Sequence, residues 1–390
     1  MKFDFDTVIN RRRTKSIKWD FADSYFKSED LLPMWVADMD FPAPPVIIDR
    51  LKERAEHGAF GYTGYTDSFY ESVIDWMKER HDWNIEKNMI STSSGVVTGL
   101  ATAILALTSP GDEIIVQPPV YYPFFSIVKN NGRQLLFNEL KREGSSYIFD
   151  LENIKSLISS RTKALILCSP HNPVGRVWTE NELTSIAEIC ADNNIMIFSD
   201  EIHMDVVYPP HKHNPLASLG RDISDITITF TAPSKTFNTA GLSQSLVISS
   251  NEDMLTRYNN RRNALGLMMG NTFGIEALET AYSQGGPWLD ELLLYLKANR
   301  DFITDFVTSE MDMVKPIVPE GTYLYWLDFS GTGMDDKAIT NKILHKAGIA
   351  LDYGTMFGMG GRYHQRINFA CPRSILAEGL EKISKQFKRS

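Results

Sequence analysis

One lysine stands among small and apolar neighbours in Ala232-Pro233-Ser234-Lys235-Thr236-Phe237-Asn238, directly after the strand-like run Ile226-Thr227-Ile228-Thr229-Phe230. Burial disfavours the ammonium form, so an amine placed there can attack an aldehyde and afterwards pass protons. Two other segments repeat the pattern of an apolar run ending in polar residues. Cys168 leads into Ser169-Pro170-His171-Asn172-Pro173-Val174-Gly175, and Ser199 leads into Asp200-Glu201. Ligands of open α/β sheets bind beyond the carboxyl ends of the strands. If the three runs are strands of one sheet, Asn172, Asp200 and Lys235 converge at one edge.

The elements needed to position these residues are legible as alternating segments. Strands are expected over Glu113–Gln117, Ala164–Cys168, Ile195–Ser199, Ile226–Phe230 and Ser245–Ser249, with helix-length stretches between them. One such stretch, Thr179–Asn193, opens with Thr179 and Glu182 in capping-box spacing. The alternation predicts a mostly parallel α/β sheet. The pattern changes after Trp288, where long amphipathic segments, the alternating run Thr322–Phe329 and a glycine-rich loop at 354–361 predict a smaller α+β lobe. Turn residues Gly285-Gly286-Pro287 mark the boundary. The expected organisation is an N-terminal arm over 1–45 that joins the small lobe, a large domain over 46–287 and a small domain over 288–390.

Composition narrows the function classes. A chain of 390 residues with 43% hydrophobic residues can bury a core large enough for two lobes. Its formal net charge of -9 opposes general nucleic-acid binding, which needs a basic face. Arg11-Arg12-Arg13 is too short to reverse that and reads as a solvated arm. No apolar run reaches membrane-spanning length and the N-terminus has no signal-peptide core, so a cytoplasmic protein is expected. Cys168, Cys190 and Cys371 form no disulfide framework and no metal spacing. His211 and His213, bracketed by prolines, read as a surface loop; no metal site is expected.

Pyridoxal 5'-phosphate requires a lysine for its aldehyde, an acid for its ring nitrogen, an anion cradle and a flat apolar contact. Lys235 supplies the first and Asp200 the second, although a strand-end aspartate can also serve as a helix N-cap. Asn172 can donate to the ring hydroxyl oxygen or simply make an Asn-Pro turn. Ser93-Ser94-Gly95-Val96-Val97-Thr98-Gly99 precedes the apolar helical run Leu100–Leu107, so the N–H groups of Gly95, Val96 and Val97 can hold a phosphate. Tyr121 follows another expected strand and can stack on the ring, or pack in the core. Arg366, entering the apolar run Ile367-Asn368-Phe369-Ala370, can grip a substrate carboxylate bidentately or close an internal salt bridge.

These residues resemble the fold-type I pyridoxal-phosphate enzymes of the class I and II aminotransferase group over nearly the whole chain. Within it they look most like the MalY/PatB-type carbon-sulfur lyases, through Met34–Phe41, Gly61–Tyr65, Ser169–Arg176, Asp200–Asp205 and Ala232–Leu242. The resemblance implies an α/β fold-type I transferase, with a mostly parallel seven-stranded sheet in the large domain and a smaller α+β domain. It implies that Lys235 bears the cofactor, Asp200 pairs with its ring nitrogen, Asn172 contacts its hydroxyl, Tyr121 stacks on it and Ser234 contacts its phosphate. Arg366 is then the carboxylate clamp, while Tyr62 reaches the phosphate of the neighbouring subunit in a homodimer. Trp35 is expected to shape the substrate pocket.

Two features depart from the broad aminotransferase pattern. Ser243 follows Gly241-Leu242 where many members carry a phosphate-binding arginine, and His203 stands where a tyrosine is common. The implied activity is β-elimination on cystathionine, cysteine or related S-substituted cysteines. Transamination is the alternative, and a cofactor-bearing regulatory protein the third reading.

Overall fold

The apolar runs between residues 90 and 248 assemble into one twisted sheet. In the computed structural model, which describes residues 3–387, it contains β1 (Ile90–Ser93), β2 (Glu113–Val116), β3 (Gln134–Phe137), β4 (Thr162–Cys168), β5 (Met196–Asp200), β6 (Thr227–Thr231) and β7 (Ser245–Ile248). Their spatial order is β1-β7-β6-β5-β4-β2-β3. Only β7 runs against its neighbours; the other pairings are parallel. Parallel strands are covered on both faces, which is why β4, β5 and β6 read as continuous apolar or β-branched runs rather than alternating ones.

The five expected strands are all present, with ends shifted by one or two residues. β5 begins at Met196 and includes Asp200, and β6 extends to Thr231. β1 and β3 were not expected. Ile90-Ser91-Thr92-Ser93 has too few apolar residues, and β3 is a partly exposed edge strand. The capping box on the helix Glu180–Asp192 forms as expected, with the Thr179 side chain accepting from the Glu182 N–H and Glu182 bonding back.

Packing explains the placement of the helix Val96–Leu107. Gly99 lies where a Cβ would approach the Phe230 ring to 3.0 Å, so the helix sits close against β6. Phe230, Leu100 and Ile104 are fully buried there. Each such side chain contributes roughly 1.5–3 kcal/mol relative to exposure.

The C-terminal part forms a separate antiparallel sheet from β8 (Lys315–Ile317), β9 (Leu324–Asp328), β10 (Asp352–Tyr353) and β11 (His364–Asn368), ordered β8-β9-β11-β10. The long helix Gly286–Glu310 precedes it. Leu32–Pro33 in the arm pairs with Ile349–Ala350, tying the arm to this part of the chain. The outermost ends of the expected arm and small domain, 1–2 and 388–390, lie outside the described residues.

Two sequence expectations are corrected. Arg11 is not a solvated charge: its guanidinium grips Asp38 at 2.7 and 2.8 Å and Asp40 at 2.7 Å. His213 is not in an exposed loop. It is buried, with Nε2 2.8 Å from Glu201 Oε2, because Glu201 has no water to solvate it. His211, two residues away, does remain exposed.

Candidate active site

At the carboxyl edge of the large sheet lies a cavity of about 210 Å³. The ends of β4, β5 and β6 deliver Asn172, Asp200 and Lys235 to it, as the strand-end rule requires. Lys235 occupies the one-turn helix Pro233–Thr236, where Pro233 takes a position whose N–H has no helical partner anyway. Its Nζ donates to the Ala37 carbonyl of the arm at 2.5 Å. The side chain is half-buried because it faces the cavity, yet protein surrounds the amine. Desolvation lowers its pKa to about 8, with Arg366 acting in the same direction and Asp38 and Asp200 opposing.

Asp200 is buried, and its carboxylate receives the Ile202 N–H at 3.2 Å. Desolvation raises its pKa to about 7, since one weak backbone donor and a nearby lysine do not offset the lost water. Such a carboxylate is suited to a cationic N–H partner. His203, also lining the cavity, is held well below the usual imidazole range by desolvation and by the charges of Lys235 and Arg366. Its Nδ1 has no hydrogen-bond partner among the described residues. Tyr121 forms another wall, and burial raises its phenol pKa.

The opposite end of the cavity is a helix N-terminus. Ser94, Gly95, Val96 and Val97 line it where the helix Val96–Leu107 begins. A Cβ on Gly95 would meet no protein atom within 4 Å and would take up cavity space. Ser234, Ser243 and Gln244 add neutral donors, and Lys235 is the one lysine or arginine among the described lining residues. A helix N-terminus with hydroxyl donors is an anion site without a guanidinium.

Arg366 lies on β11, where the register places it beside Asp352. Its Nη1 donates to Asn172 Oδ1 at 2.8 Å, while Nη2 donates to the Trp35 carbonyl at 3.1 Å and also pairs with Asp352 Oδ2. Its buried Nε has no hydrogen-bond partner among the described residues. The internal salt bridge, one of the two readings of Arg366 from sequence, therefore forms. With Oδ1 engaged, Asn172 turns its NH2 donors to other partners.

Three expected residues, Arg366, Trp35 and Tyr62, are not among the cavity-lining residues. The Trp35 indole stacks on Tyr25 at 4.5 Å and gives its N–H to the Lys18 carbonyl, so only its backbone touches Arg366. Tyr62 is 95% exposed. Sequence reasoning missed the contributions of Ala37, Ile202 and Gln244, and took Cys168 for a core residue. Cys168 does both: it is buried, accepts from the Asn172 N–H at 3.4 Å and lines the cavity. Its position at the end of β4 was the available signal.

As a donor set, the cavity offers a poorly solvated amine, a carboxylate needing a cation, a neutral anion cradle and an aromatic wall. This fits pyridoxal phosphate on each of its four requirements. Comparison with known proteins agrees. The chain is 43% identical to cystathionine beta-lyase PatB of Bacillus subtilis over 383 residues, 97% of this chain and 98% of that protein. It is 31% identical to protein MalY of Escherichia coli, with 97% of each covered. Cystalysin from Treponema denticola, whose crystal structure contains pyridoxal 5'-phosphate, superposes with a TM-score of 0.96 at 40% identity, covering 99% of each chain. The pyridoxal-phosphate-bound C-S lyase of Staphylococcus hominis gives 0.93 at 30% identity, covering 100% of this chain and 99% of that one. The profile of the family Aminotransferase class I and II matches residues 29–383, and the chain belongs to that family.

Proposed function

We propose that the protein is a pyridoxal-phosphate-dependent carbon-sulfur β-lyase that converts cystathionine, cysteine or related S-substituted cysteines, with one water, into a thiol, pyruvate and ammonia. The observation that carries this reading is the convergence of Lys235, Asp200 and Asn172 on one cavity, with Arg366 hydrogen-bonded to Asn172. Family membership and the likeness to named lyases support it.

In this reading the N–H groups of Gly95, Val96 and Val97, with the Ser234 hydroxyl, hold the phosphate. Asp200 would keep a proton on the ring nitrogen, Asn172 would donate to the ring hydroxyl, and Tyr121 and His203 would supply contacts to the ring. When bound, the cofactor supplies an electron sink for the negative charge left at the substrate Cα. Arg366 grips the α-carboxylate and so orients the Cα–H bond. The Lys235 amine takes that proton; with its pKa near 8, part of the population is neutral at neutral pH and able to accept it.

The finer class proposed is a cysteine-S-conjugate β-lyase active on cystathionine. A cytoplasmic homodimer belongs to the same proposal, with Tyr62 entering the neighbouring site, supported by its exposure. So does the division into an arm, a large domain to 287 and a small domain from 288, supported by the separate C-terminal sheet. Among the described residues no helix is long and apolar enough to cross a membrane.

The test is to give the holoenzyme L-cystathionine without any keto acid and assay pyruvate, ammonia and thiol. Equal amounts of all three over many turnovers are expected. A single turnover that resumes only on adding a keto acid would establish transamination instead.

A further inference from the structure

Lys235 and Asp200 face the cavity, and the residue after each one is anchored in a single buried polar cluster. Thr236 Oγ1 donates to Asp205 Oδ2 at 2.7 Å. Asp205 Oδ1 takes the Trp76 indole N–H at 3.1 Å and lies 2.7 Å from His81 Nε2. The His81 and His213 rings meet edge-on at 5.8 Å, and His213 in turn bonds Glu201. Glu201 also accepts from the Ser199 hydroxyl at 2.7 Å and the Leu216 N–H at 3.2 Å. Thr236, Asp205, His81, His213 and Glu201 are all buried.

The one-turn helix Pro233–Thr236 cannot hold its own direction. At its end the Phe237 N–H bonds the Pro233 carbonyl at 2.8 Å, and a single turn fixes several dihedrals for little return. Tertiary ties therefore aim Lys235. One is Asn238, which bonds the Met39 N–H and the Met39 and Phe41 carbonyls. The other is Thr236 on Asp205. This second tie ends on a buried carboxylate, and a hydrogen bond to a charged acceptor is stronger than one between neutral groups.

We propose that Asp205 is a positioning residue for the reaction: by holding Thr236, with His81 and Trp76 completing its donors, it orients the amine of Lys235. This rests on Lys235 being the cofactor-bearing lysine. Thr236→Val removes the hydroxyl at nearly constant shape, and Thr236→Ser restores it. Thr236→Val is expected to lower kcat about tenfold with KM within about twofold, and to weaken the visible circular dichroism of the bound cofactor in the resting holoenzyme. Thr236→Ser recovers both signals. Asp205→Asn is expected to act in the same direction with a loss of about a hundredfold.

A Thr236→Val protein with unchanged kcat and unchanged dichroism, differing only in melting temperature, would reduce the tie to structural packing and overturn the proposal. This holds even if Asp205→Asn fails to fold. Lys235→Ala separates the two levels: retention of the visible cofactor band and of turnover in that variant would remove the lysine assignment, and the proposal with it.

Discussion

The cavity has two walls built by different rules. The wall made by β4, β5 and β6 places Asn172, Asp200 and Lys235 at consecutive strand ends, within a sheet of mostly parallel pairings. The facing wall is assembled from distant pieces of chain. Asn368 Nδ2 bonds the Val36 and Asp38 carbonyls at 2.6 Å each, Asn238 bonds Met39 and Phe41, and Tyr323 Oη donates to the Ala37 carbonyl at 3.1 Å. Arg11 and the fully buried Lys18 then neutralise Asp38 and Asp40 from outside. The sheet wall is set by topology and the arm wall by long-range side-chain bonds. Removing an arm bond such as that of Asn368 should therefore loosen the arm wall without disturbing the sheet wall, whereas Asn238 ties the two together.

Substitutions sharpen this contrast. On the sheet wall, Lys235→Ala is expected to lower kcat by roughly a thousandfold or more, with melting temperature held or raised because a poorly solvated amine is lost. Steady-state kinetics beside thermal unfolding checks both halves. On the arm wall, Arg366→Lys gives up the planar fork and leaves Asp352 with a single-point partner. A rise in KM of about tenfold to a hundredfold is expected, larger than the change in kcat. Asn238→Ala breaks three bonds to Met39 and Phe41, and is expected to cost about 1–3 kcal/mol in denaturant unfolding.

The smallest effect concerns protonation and is read in the cofactor-free protein. Folding raises the pKa of Asp200 from the ordinary 3.8 to about 7. Between those values the folded chain keeps a proton that the unfolded chain has released, so this group's contribution to stability falls as pH rises through the window. Asp200→Asn should flatten that part of the pH–stability curve. An unchanged slope would show that Asp200 already has a strong donor in the fold.

The same contrast explains what the sequence disclosed. Strand ends are local patterns, so Lys235, Asp200 and Asn172 could be found, and Gly95 to Val97 stood out as a glycine before an apolar helix. The arm wall depends on partners hundreds of positions apart, such as Asn368 with Val36, and no local pattern encodes them. Trp35 was expected to shape the substrate pocket, but its ring packs on Tyr25 and Phe26. His213 and Arg11 were read as solvated because their carboxylate partners, Glu201 in one case and Asp38 and Asp40 in the other, become neighbours only in the fold.

The central claim is that the sheet edge presents Lys235 as the cofactor-bearing amine. Borohydride reduction of the holoenzyme followed by peptide mapping tests it most directly. The account requires the pyridoxyl label on the peptide containing Ala232–Asn238, at Lys235. A label on any other lysine would contradict it.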